Sequence, residues 1–131
     1  GKGESLRAFH GGLESAEARD AVAAEAARLQ ARRDPLAAAD WTRAIAGESA
    51  KREAVSAALY EIGYDSLELS VDFIDAAYEV SAPQRDRLMY QTLADWLMVD
   101  EGAVLGYLAT GRARLSAASS EAILDEIEGF K

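Results

Sequence analysis

The chain contains two prolines, Pro35 and Pro83, and no asparagine, so very little in it interrupts a helix. The stretches between are rich in alanine, leucine, glutamate and arginine, the side chains that lose least freedom on entering a helix. Aromatic residues make up only 8% of the chain, and β-branched residues are sparse. The expected fold class is therefore all-α, a compact bundle of about six or seven helices. At 131 residues the chain has the length of one domain with a real core. Residues 1–12 hold four glycines and little pattern, and read as a flexible lead-in. Residues 13–131 read as a single helical domain.

Start and stop signals divide that domain. From Ser15 to Arg33 the chain is alanine-rich, with a weak apolar stripe through Val22 and Leu29, seven apart, and Ala18 and Ala26 on nearby turns. Such a helix packs on the body or pairs with a second copy as a homodimer. Asp34-Pro35 restarts the helix, with an acid at the N-cap and proline in the first turn. Leu36, Trp41 and Ile45 then point inward, and Gly47 stops it. Ser49 is placed to cap a helix over 50–62, with Val55, Leu59 and Ile62 inward and Gly63 at its end. Asp65-Ser66-Leu67-Glu68 has the form of a capping box opening a helix over 66–80. Ser81-Ala82-Pro83-Gln84 is a second box, opening a helix to about Met98. Asp100 caps a short helix to about Ala109, closed by Thr110-Gly111. Ser116 starts a last helix over 117–128, with Ile123, Leu124 and Ile127 inward and Gly129 beyond it.

Charge is the other strong signal. Acids outnumber bases 23 to 14, for a net charge of −9. Residues 1–55 are balanced, so residues 56–131 carry the whole excess, and no positive side chain lies between Arg52 and Arg85. At 100° per residue, Leu67, Val71, Ile74 and Tyr78 share one face of the 66–80 helix. Leu69, Phe73, Ala77 and Val80 share a second. Glu68, Asp72, Asp75 and Glu79 form a strip between them. Like charges at this spacing oppose a helix by about 0.2–0.5 kcal/mol per pair. The pattern predicts an outward anionic strip on which a basic protein surface lands, including one that normally holds nucleic acid. Asp100 and Glu101 form a second patch. The plainer reading of the same pattern is a solvated face, offset after folding by Arg85, Arg87 or the neutral N-terminal half.

Several chemistries are excluded or unsupported. The absence of cysteine removes disulfides, thiolate metal sites and thiol catalysis. His10 is the one histidine, and no EF-hand loop or Glu-x-x-His pair is present, so no metal is expected. No glycine-rich phosphate loop and no nucleophile–base–orienter set is visible. The expectation is a protein that is not an enzyme and uses no cofactor. No apolar run approaches the roughly 20 residues that span a bilayer, and no signal-peptide core is present. A cytoplasmic protein without a membrane partner is expected.

Two segments resemble known families. Leu93–Tyr107, LADWLMVDEGAVLGY, resembles the helix-turn-helix of the Cro and λ-repressor family. Ala94 stands at the small position where the helices cross. Leu93, Leu97, Val99, Val104 and Tyr107 stand at the apolar positions. Gly111–Ser116 and the helix after it resemble the family's continuation, so the similarity spans residues 91–128, about 38 residues. Met98 replaces the turn glycine, and Asp100, Glu101, Gly102, Leu105 and Gly106 occupy the base-reading positions. The resemblance implies a DNA-binding transcriptional regulator, with Arg85, Arg87, Arg112 and Arg114 as phosphate contacts. The shorter segment Leu59–Leu67, LYEIGYDSL, resembles the attachment site of acyl and peptidyl carrier proteins. It implies phosphopantetheine on Ser66 and an acidic helix that meets basic enzymes. It departs in having Val71 one position late and a helix where that family has a long loop.

The residues themselves favour a non-enzymatic regulatory or inhibitory protein. It would dock a basic partner through Glu68, Asp72, Asp75, Glu79, Asp100 and Glu101. The DNA-binding regulator is the alternative.

Overall fold

A computed structural model describes residues 15–63 and 66–129. Within them the elements are α1 (Ala16–Gln30), α2 (Pro35–Arg43), α3 (Glu48–Ile62), α4 (Leu67–Ala77), α5 (Pro83–Val99), α6 (Glu101–Ala109) and α7 (Ala117–Gly129). No strand occurs among the described residues, and the chain is all-α as expected. The helices belong to two compact units, residues 1–65 and 66–131. The proposed lead-in, His10 included, lies outside the described residues.

In the first unit α1, α2 and α3 pack against one another. Their contact faces are built from alanine: Ala23, Ala26, Ala27, Ala31, Ala38, Ala39 and Ala58 are fully buried. Small side chains let three helices approach closely, and Trp41, Ile45, Val55 and Ile62 fill the remaining space. Of the expected stripe on α1, Ala26 is fully buried, but Leu29 is 55% exposed and Ala18 and Val22 only half-buried, because the face that fits between two neighbours is the one with the smallest residues. Leu36, expected inward, is 58% exposed. Asp34 caps α2 as expected, accepting from the Ala37 N–H at 3.1 Å. Ser49 does not cap α3, which begins at Glu48 with Gly47 as N-cap. Asp20 of α1 instead accepts the N–H groups of Ala46 and Gly47, both at 3.1 Å, and fixes the entry to α3. Gly63 ends α3 with φ +75°, a left-handed value that glycine adopts without strain.

In the second unit α5 is the axis, packed by α4, α6 and α7. Val71, Phe73, Ile74, Met89, Leu93, Val104 and Ile123 form its core. α4 is buried on two sides, as its pattern predicts, although Leu69 and Val80 stay exposed. The helix stops at Ala77, short of the expected Val80, and Tyr78 is extended. A continuation would set Glu79 against the negative end of a helix with no basic residue in its last turn. Ser66 is the N-cap of α4 but makes no capping bond, and Asp65 lies outside the described residues. The N-cap of α5 is Ala82 rather than Ser81, with Pro83 supplying the first turn. Leu124, expected inward on α7, is 58% exposed.

Asp100 alone separates α5 from α6 and caps α6, accepting from the Ala103 N–H at 3.0 Å. Trp96 and Tyr107 meet across the bend with ring centroids 5.9 Å apart. Leu97 and Val104 are buried beside them. Val99, at a locking position of the helix-turn-helix pattern, is instead 75% exposed. With Met98 in place of a turn glycine, α5 continues through Val99 and carries that side chain to the surface. Among the described residues no helix is long and apolar enough to cross a membrane.

Candidate functional site

The charged residues of the second unit converge on one point. Arg85, in the first turn of α5, is fully buried. Its Nη2 donates to Asp75 Oδ1 at 2.6 Å and to the Arg112 carbonyl at 3.4 Å. Its Nη1 donates to the carbonyls of Ala113 at 3.0 Å and Arg114 at 3.4 Å. The loop between α6 and α7 thus curls around one guanidinium. The curl uses left-handed backbone at Gly111 (φ +74°) and at Arg114 (φ +43°), the latter a conformation few side-chain-bearing residues adopt. Asp86, next in sequence, accepts from the Ser116 N–H at 2.6 Å, the Ser116 hydroxyl at 3.0 Å and the Ser119 hydroxyl at 2.7 Å. Burial pushes the Asp86 carboxyl up. The hydrogen bonds from Ser116 and Ser119, with the charge of Arg85, outweigh that and hold it below the usual aspartate value.

Two further arginines close the cluster. Arg112 lies 3.0 Å from Asp72 and 5.7 Å from the centre of the Tyr107 ring. Arg114 lies 3.5 Å from Asp75. The Tyr107 phenol is pushed up, by burial first and then by the charge of Asp75. Arg85 Nε and the Tyr107 hydroxyl are buried without a partner among the described residues.

This geometry corrects both sets of charged residues named from the sequence. The acidic strip is not an unneutralised run, because Asp72 and Asp75 are paired with arginines 40 and 10 residues away in the chain. Glu79, exposed beyond the end of α4, also interacts within the chain. Glu68 remains exposed. On the cationic side, Arg85 is inaccessible to phosphate, while Arg112 and Arg114 pair with α4 carboxylates and stay half-exposed. Arg87 is exposed. On α6, Gly102, Leu105 and Gly106 are exposed and Glu101 is half-buried, so its outward face holds no cation.

A site that the sequence did not suggest lies between α5 and α7. Ala94, Asp95, Met98, Glu126 and Gly129 line a groove of about 410 Å³. Met98 is 72% exposed there. Tyr90 donates to Glu126 Oε1 at 2.7 Å and fixes that carboxylate. The signal that points to this groove is the lack of any Lys or Arg over residues 88–111 and 115–130. A second groove, in the first unit between α1 and α3, is lined by Ala21, Ala24, Ala54 and Ala57. Its rim is already occupied, by the Arg28–Glu25 pair and by Asp20 holding the backbone of Ala46 and Gly47.

Ser66 is half-buried at the start of α4, and α3 is helical up to Ile62, as the sequence predicts. Among the described residues no three His, Cys, Asp or Glu side chains converge as a metal ion would require. Comparison with family models, with curated proteins and with solved structures found no match.

Proposed function

We propose that this chain is a non-enzymatic, regulatory or inhibitory protein that binds a basic macromolecular partner through its second unit. The observation that carries this reading is the fate of the arginines. Arg85, Arg112 and Arg114 are held by Asp75, Asp72 and loop carbonyls. Residues 66–131 hold twelve acids against five bases, and engaging those three arginines leaves a surface dominated by carboxylates. Phosphate contacts supply most of the affinity in DNA binding and need free cations. Here the α5–α6 bend presents Asp100, Glu101, Gly102 and Leu105 instead. A cationic protein surface is the partner that such a field attracts.

A gel-shift with random duplex DNA at low salt tests the reading, with labelled poly-lysine as the opposite probe. The expected result is retardation of poly-lysine that salt reverses, and no retention of duplex. Retention of the duplex without poly-lysine binding overturns the proposal and favours DNA recognition.

A further inference from the structure

We infer that the groove between α5 and α7 is the docking point, and that it receives a basic segment of a partner protein carrying an apolar side chain flanked by lysine or arginine. The inference rests on the reading above and assigns it a place.

Ala94, Met98 and Gly129 give the groove an apolar lining, and Asp95 of α5 and Glu126 of α7 add carboxylates from opposite helices. The thioether of Met98 is long and adaptable, suited to repacking around an incoming side chain. Neither helix has a basic residue in its last turn. Among the described residues no Lys or Arg occurs in 88–111 or 115–129. The lining selects the occupant. Its carboxylates repel nucleic acid and acidic peptides. A purely apolar segment leaves Asp95 uncompensated. Lysine and arginine combine an apolar stem with a cationic head, which matches both kinds of lining residue.

The test is an NMR titration of the whole chain with a synthetic amphipathic helical peptide of leucine and lysine at low salt. A peptide with glutamate for each lysine serves as control. The expected result is saturable shifts at the Met98 methyl and at the amides of residues 94–98 and 126–129. The glutamate peptide should leave them unmoved. Asp95→Lys with Met98→Lys changes two exposed side chains and should keep the helix content while weakening the lysine peptide about tenfold or more. Shifts confined to α4 or α6 overturn the groove and leave the basic-partner reading intact. Equal binding of both peptides, or no binding of the lysine peptide where poly-lysine does bind, also overturns the groove. Failure of both cationic probes overturns the reading itself.

Discussion

Arg85 Nη2 lies 2.6 Å from Asp75 Oδ1, with the guanidinium fully buried and the carboxylate side chain 20% exposed. This pair joins the start of α5 to α4, and the same guanidinium gathers three carbonyls of the α6–α7 loop. One side chain therefore connects three parts of the second unit.

Removing it should be costly. Arg85→Met leaves Asp75 with only the longer Arg114 contact and frees the loop carbonyls, and should lower the stability of the second unit by about 3–5 kcal/mol. Adding Asp75→Leu should recover part of that loss, since the poorly compensated charge goes with it. Urea unfolding, followed through hydrogen exchange of amides in residues 66–129, measures both. A loss below about 1 kcal/mol for Arg85→Met would mean that the pair is no more than a surface ion pair.

Asp86 should make the unit sensitive to acid. Its carboxyl titrates below the usual aspartate value when folded. The stability it contributes is therefore complete above the unfolded value, about 3.9, and is lost as pH falls through the lower folded value. Asp86→Asn should be less stable than the parent at neutral pH, with the gap closing as pH falls. Thermal unfolding across an acid pH series reads this. A gap that stays constant with pH removes the assigned role of the carboxylate.

Gly106 sits inside α6, and a Cβ added there would meet nothing within 4 Å. Glycine inside a helix costs roughly 0.5–1 kcal/mol relative to alanine. Gly106→Ala should raise the melting temperature of the second unit. A fall would show that the α6 face is covered.

Ala58, on α3, is fully buried in the core of the first unit. Ala58→Leu should overpack that core and cost about 1–3 kcal/mol. The same change at exposed Ala46 should cost little. Similar effects at both positions in urea unfolding would contradict the close alanine packing.

The sequence made the helices legible because Asp34, Pro35, Gly63, Pro83, Asp100 and Ser116 act on their own chain neighbours. It was less informative wherever the deciding atom came from afar. Asp20 fixes the entry to α3 from 26 residues away in the chain. Arg85, in the first turn of the next helix, was legible as a counter-charge to the α4 acids and pairs with Asp75, whereas Arg112 reaches Asp72 from 40 residues away. On α1 the stripe drawn through Val22, Leu29, Ala18 and Ala26 holds only at Ala26, because three-helix packing is decided by size and selects Ala23, Ala26 and Ala27. The groove at Asp95, Met98 and Glu126 needs two helices to be adjacent, and its sequence trace is only a cation-free stretch.

Arg85, Arg112 and Arg114 tie the second unit together and are engaged by its own carboxylates and carbonyls. NMR of the arginine side chains measures whether a polyanion can take them. The Arg85 Nε–H, fully buried, should be protected from exchange with water. Arg85 should give resolved Nη signals, and the Arg85, Arg112 and Arg114 signals should not move when random duplex DNA is added at low salt. Fast-exchanging, averaged signals that shift with added duplex would contradict that engagement.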